Sequence, residues 1–191
     1  MKNKKIFLVL FIALMLAQLI VPAYMIVHRE LVLHNGKQYK FRVQPVDPYH
    51  PLRGRYVSVH LGDLQMTVPK DEKYYGNQAI YALITIDDMG YARFTGISRT
   101  VPENGEYIKT KVAYVYDENG GQKHVQIEAP FDRYYMEEKM APQAEREYNK
   151  HVRDRNDNVY VTVKVLSGSA VLERLYIEGM TIEDYIKSNK G

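Results

Sequence analysis

The chain contains no cysteine and no tryptophan among its 191 residues. Without thiols there is no disulfide, no zinc–thiolate site and no cysteine nucleophile, and any redox compartment is tolerated. An excess of one charge sign is also missing once the first residues are set aside. The formal charge of +3 comes from 26 basic and 23 acidic residues, and Lys2, Lys4 and Lys5 account for all of it. The remaining body is charge-balanced, which argues against a nucleic-acid partner. There is no internal repeat, no low-complexity tract and no linker long enough to divide the chain, so one folded domain with one appendage is expected. With 46% hydrophobic residues, disorder is excluded.

The appendage lies at the front. From Ile6 to Val27 no residue is charged, and only Gln18, Pro22 and Tyr24 interrupt the apolar run. As a helix this stretch extends roughly 33 Å, enough for a hydrocarbon core of about 30 Å. Two readings compete. A cleaved secretory signal would use the three lysines as its basic region and Val21-Pro-Ala23 as a small-residue cleavage site. A retained anchor fits the length better, because the apolar run resumes with Tyr24-Met-Ile-Val27 before stopping at His28, Arg29 and Glu30. Residues 1–5 are then a cytoplasmic basic tail, 6–27 a transmembrane helix and 28–191 a domain outside the cytoplasm. That orientation rests on the short lysine-rich tail, because long domains translocate largely regardless of charge. It places the protein in the inner or cytoplasmic membrane of a bacterium, with the lipid bilayer as its first partner.

Beyond residue 28 the apolar positions alternate. Tyr39, Phe41 and Val43 form one set, Val57, Val59 and Leu61 a second, and Leu64, Met66 and Val68 a third, each with the period of a half-buried strand. Turn chemistry at Asp87-Asp-Met-Gly90, Asp117-Glu-Asn-Gly-Gly121 and Ser167-Gly-Ser169 joins further strands into hairpins. The expected fold is mainly β, an antiparallel sandwich or partly open barrel with one or two short helices. One helix begins near Pro142 and runs toward Val152; the other follows Thr181, whose side chain and Asp184 resemble an N-terminal cap.

The most distinctive stretch is Val43-Gln-Pro-Val-Asp-Pro-Tyr-His-Pro-Leu-Arg-Gly-Arg-Tyr-Val-Ser-Val-His-Leu61. It resembles the signature of the GDYXXLXY protein family, in which a proline-aspartate-proline turn precedes Leu-Arg-Gly-Asp-Tyr and an alternating strand. Asp47, Pro48, Pro51, Leu52, Arg53, Gly54, Tyr56 and Val57 agree with that pattern. Arg55 stands where the family has Asp, Val59 where it has Leu, and Leu61 where it has Tyr. Phe131-Asp-Arg-Tyr-Tyr-Met-Glu-Glu138 with Glu145 is similar to the family's second block, and Gly168 to Gly179 to its last hairpin. The resemblance implies a membrane-anchored bacterial protein whose domain accompanies, or is fused to, a polytopic membrane domain. It implies no particular reaction. Arg55 reverses the charge of the family's Asp and so excludes a cation-binding role at that position.

The remaining residue types offer weak chemistry. Asp47, His50, His60 and Asp63 are metal-binding types, but no His-x-His or His-Glu-x-x-His pair sets a ligand spacing. Ser58 alternates inside a strand and lacks the strained elbow that exposes a nucleophile. No catalytic residue, metal ligand or cofactor is therefore assigned. Tyrosine is abundant, and Tyr81, Tyr91, Tyr107, Tyr114, Tyr116, Tyr134, Tyr135 and Tyr176 fit either core-and-edge packing or a sugar- or peptide-binding face. The expected function is a non-enzymatic accessory or binding subunit of a cell-envelope membrane assembly, with a polytopic membrane protein as partner. A cell-envelope hydrolase and a glycan-binding module are the alternatives. The residues expected to meet the partner are Asp47, Arg53, Gly54, Arg55 and Tyr56 on the first block, and Phe131, Arg133, Tyr134 and Tyr135 on the second.

Overall fold

A computed structural model describes residues 2–44, 56–117, 122–153 and 158–189. The first element, α1, is a helix over Lys2–Asn35 with Pro22 inside it. Between Ile6 and Val27 it carries no charge on any side, and every residue from Lys4 to Leu31 is exposed. A helix without a polar face has nothing to gain from water, so this one is long and apolar enough to cross a bilayer. Its last turns behave differently. Val32 is fully buried, His28 Nε2 lies 3.1 Å from Ser169 Oγ, and the Gly36 N–H donates to the Val32 carbonyl at 2.8 Å.

The chain then enters β1, Lys37–Arg42, without a linker. There follow β2 (Tyr56–Ser58), β3 (Gln65–Val68), β4 (Ala79–Ile86), β5 (Ala92–Ser98), β6 (Glu106–Asp117), β7 (Lys123–Ile127) and β8 (Arg133–Tyr135). Helix α2 (Ala141–Arg153) leads to β9 (Val159–Leu166), β10 (Ser169–Ile177), the two-residue β11 (Met180–Thr181) and the closing helix α3 (Ile182–Ser188). The fold is β-rich, as the alternation of apolar residues predicts.

Nine strands form one sheet in the order β11-β10-β9-β1-β5-β4-β6-β7-β3. All neighbours run antiparallel except β1 and β5, which are parallel through the single register pair Phe41↔Ala92. The sheet curls without closing into a barrel: Lys109 N–H at the start of β6 reaches the Gly168 carbonyl in the β9–β10 turn at 2.8 Å. That turn contains Ser167 and Gly168 at φ 49° and 83°. Two successive positive φ values suit a two-residue hairpin, because their backbone twist matches the twist of the flanking strands.

Period-two burial fixes which side of the sheet is inside. Tyr39 and Phe41 of β1, Ile80 and Ala82 of β4, Phe94 of β5, and Val161 and Val163 of β9 are buried, while Lys40 and Arg93 between them face out. The inner face is covered by the β2–β8 ribbon and the two short helices. In α2 the buried residues Ala141, Ala144, Tyr148 and Val152 share one stripe. The helix ends with Lys150 and Arg153 in its last turn, where positive charge complements the helix dipole. His151 ties α2 to α3, with Nδ1 2.8 Å from the Glu147 carbonyl and Nε2 3.0 Å from the Tyr185 hydroxyl. Helix α3 starts at Thr181, whose hydroxyl accepts from Asp184 N–H at 3.3 Å, satisfying a free N–H of the first turn as an N-cap, and donates to Asp184 Oδ2 at 2.7 Å.

Candidate functional site

The two sequence blocks converge on the β2–β8 ribbon. Its register pairs Tyr56 with Tyr135, Val57 with Tyr134 and Ser58 with Arg133, and Val59 N–H extends the contact to the Asp132 carbonyl at 2.8 Å. Because successive side chains point to opposite faces, Val57 and Tyr134 go inward while Tyr56, Arg133 and Tyr135 go outward. Val57 and Val59 are completely buried. Phe131, just before β8, is also a core residue, packed edge-on against Phe41 with ring centroids 5.4 Å apart.

Tyr134 carries a polar tip into this core. Its hydroxyl donates to Glu183 Oε1 at 2.6 Å, which ties the ribbon to α3. Burial pushes the Tyr134 phenol well above its ordinary value, and the neighbouring Glu183 carboxylate pushes it further in the same direction. The outward side is different in character. The Tyr56 and Tyr135 rings meet at 5.7 Å with a 60° tilt, and the Arg133 guanidinium lies 5.2 Å from the Tyr56 ring centroid. Arg133 Nε is 3.4 Å from Asp132 Oδ2. Its guanidinium is held protonated first by the side-chain hydrogen bond with Tyr135 and then by the Asp132 charge. Tyr135 itself is 57% exposed. A tilted pair of phenols with a cation over one face forms an amphipathic surface of the kind that recurs at protein interfaces.

Asp47, Arg53, Gly54 and Arg55, together with His50, lie outside the described residues. The chain on either side of them is pinned in one place, because Gln44 N–H donates to the His60 carbonyl at 2.8 Å and Val43 bridges to Leu61. Among the described residues no group of three His, Asp or Glu side chains is arranged to hold a metal ion.

The tyrosines divide by environment. Tyr160 and Tyr176 stack across β9 and β10 at 4.9 Å and 9°, Tyr91 meets Tyr160 edge-on at 5.9 Å, and Arg42 lies 4.5 Å from the Tyr91 centroid. Tyr81 and Tyr107 pair across β4 and β6 at 5.4 Å, while Tyr116 stacks on His124 at 5.3 Å. These tyrosine rings pack face and edge on their neighbours while remaining partly accessible, and Tyr114, 57% exposed beside Tyr116, stays open to solvent.

Beside the outward face of the ribbon the helix α1 and the β9–β10 hairpin leave a cleft. One part, about 210 Å³, is lined by Arg29, Phe131, Arg133, Tyr135, Val171 and Leu172. A second part, about 430 Å³, shares Arg29, Pro130, Ala170 and Val171 with the first and is bounded by Tyr24, Met25 and Lys109. The sequence singled out Arg133 and Tyr135 as partner-binding candidates but not Lys109, which lines the cleft from β6, nor Glu183, which holds Tyr134 from α3; both arrive from distant elements and leave no local signal. Arg29 was visible only as the charge that ends the apolar run.

Comparison with known proteins agrees with the residue pattern. No curated protein and no solved structure matches the chain. A family model described as GDYXXLXY protein matches residues 18–175, a span that takes in the end of the apolar helix, both blocks of the ribbon and nearly all of the last long hairpin. The chain belongs to the GDYXXLXY protein family.

Proposed function

We propose that this protein is a membrane-anchored, non-enzymatic accessory or binding subunit of a bacterial cell-envelope assembly, with its N-terminus inside and its β domain outside the cytoplasm. The observation that carries this reading is the direct seating of the domain on the end of α1, through Val32, His28 and Gly36. A tether without slack fixes the position of the ribbon relative to the helix. Confinement at the bilayer then raises the domain's effective concentration for a second membrane protein without requiring a tight interface. The docking surface is the outward side of Tyr56, Arg133 and Tyr135, together with Asp47, Arg53, Gly54 and Arg55 of the preceding turn. The partner is a polytopic membrane protein.

Photo-crosslinking tests this. A photoreactive residue replacing Tyr135 in the full-length protein, in native membranes, is expected to give a discrete adduct with one membrane protein. The same residue placed at the exposed Met89 on the β4–β5 turn is expected to give none. Adducts with lipid alone from both positions would refute the docking surface.

A further inference from the structure

We propose that the cleft between α1 and the sheet is a binding site for the glycerophosphate headgroup of an anionic phospholipid. This rests on the reading of α1 as a membrane anchor. Three independent features of the cleft agree on that occupant.

Depth is the first. The larger cavity is bounded by Tyr24 and Met25, within the last turn of the uncharged run, and by His28 and Arg29 just beyond it. If Ile6 to Val27 fill the hydrocarbon, Arg29 stands about 3 Å past its edge, at the level of phosphates. Lys109 of β6, Ala170 of β10 and Pro130 of the bend before β8 form the opposite wall. Tyr24 and His28 stack at 6.0 Å and 14°, and amphipathic rings of this kind favour the membrane–water interface.

Charge is the second. Arg29 and Lys109 both line the cavity, and neither makes an ion pair among the described residues. In the adjoining space Arg133 and the Asp132 carboxylate offset each other at 3.4 Å, which leaves Arg29 and Lys109 as the excess charge. The local balance is therefore positive in a domain that is neutral as a whole. A phosphodiester between Arg29 and Lys109 would be bound by charge-assisted hydrogen bonds, which are roughly twice as strong as neutral ones.

Shape is the third. Met25, Val32, Ala170 and Val171 give the cavity an apolar wall continuous with the lipid-facing surface of α1. An inorganic anion has no use for that wall. A lipid satisfies both parts, with its phosphate on the cations and its glycerol and first methylenes on the apolar side. A cavity of about 430 Å³ lies within the range usual for small-molecule sites.

Native mass spectrometry of the full-length protein, released from membranes into detergent with equal amounts of phosphatidylglycerol and phosphatidylcholine, tests the site. The wild type is expected to retain phosphatidylglycerol preferentially. Replacing Lys109→Gln, an exposed side chain with no side-chain bond among the described residues, is expected to lower that preference about fivefold, the effect of one cation near an anionic surface. Arg29→Gln should act similarly, and removing the charges of Lys2, Lys4 and Lys5 at the far end of α1 should not. Equal retention of the two lipids, or a preference that survives both substitutions, overturns the site. Displacement of the lipid by inorganic phosphate would also overturn it, because the apolar wall would then contribute nothing. Alkaline carbonate extraction separates the two levels of the argument. Protein that leaves the membrane refutes the anchor, whereas protein that stays but shows no lipid preference refutes the headgroup site alone.

Discussion

Tyr134 and Tyr135 are adjacent, identical and opposite in role. One is buried with its hydroxyl on Glu183, and the other is exposed beside Arg133. The buried phenol's raised pKa makes a prediction with a definite sign. A group whose pKa is higher in the folded state stabilises the fold below its unfolded value, about 10 for Tyr, and loses that contribution as pH rises toward the folded value. Tyr148, displaced upward by burial, and Tyr74, pushed up to about 12 by burial and by Glu72, act in the same direction. The protein should therefore lose stability from about pH 10 upward. Tyr134→Phe should cost about 1.5–3 kcal/mol at neutral pH through loss of the hydrogen bond to a carboxylate. Its deficit should narrow above pH 10, because the substituted side chain no longer titrates. Denaturant midpoints followed by tyrosine circular dichroism across this range check both statements, and a deficit independent of pH would contradict the assignment. At this scale the sequence was half legible. It marked Phe131 to Tyr135 as a block and supplied the period of two, but the phase of the alternation depends on β2 pairing with β8, a contact between residues some eighty positions apart. Phe131 and Tyr134 consequently belong to the core, and Tyr56, Arg133 and Tyr135 to the surface.

Among the elements, those closed by local chemistry were legible and those closed by distant contacts were not. The β9–β10 hairpin follows from Ser167 and Gly168 in positive φ, and the α3 cap from Thr181 and Asp184, both readable within four residues. The parallel pairing of β1 with β5 had no such signature, because three strands intervene in the sequence. Helix α1 was recognised by its apolar run, yet its true end lies beyond that run, at Asn35, where packing on the β9–β10 hairpin extends it. Gly36 governs this junction. A Cβ there would collide with the Val32 carbonyl oxygen and stand 3.1 Å from Val165 N and 3.2 Å from Lys164 Cβ, all within or beside rigid backbone. Gly36→Ala should therefore destabilise the domain by about 1–3 kcal/mol, the usual cost of overpacking. The loss should be local in origin. Limited proteolysis is expected to cut the variant between residues 28 and 38 under conditions that leave the wild type intact. An unchanged unfolding midpoint with no new cleavage would mean that the seat on α1 is looser than these contacts imply.

For the molecule as a whole, the absent cysteine becomes an experimental advantage. Its thiol-free chain allows single cysteines to report topology with no background, and the proposed orientation gives each position a definite result. Met89, 74% exposed on the turn between β4 and β5, lies in the domain proposed to face outward. Lys4 lies in the basic tail proposed to face the cytoplasm. A membrane-impermeant maleimide applied to intact spheroplasts should label Met89→Cys fully and Lys4→Cys only after permeabilisation. The reverse pattern would invert the topology, and with it the level of the membrane at which the ribbon and the cleft meet their partners. Labelling of Met89→Cys in the culture medium, on a chain shortened at its front, would instead establish a cleaved signal. The physical basis of the expected result is the difference between a short lysine-rich tail and a long domain. Three lysines sit in a five-residue tail, whereas Arg29, Lys37, Lys40 and Arg42 after the run belong to a long domain, neutral overall, of the kind that translocates largely regardless of charge. The same neutrality bears on association. A domain without net charge of its own gains little from long-range steering, and its encounters depend on the confinement and fixed orientation that α1 supplies. A flexible insertion between Asn35 and Gly36 should therefore weaken partner crosslinking from Tyr135 even though every residue of the docking surface is retained.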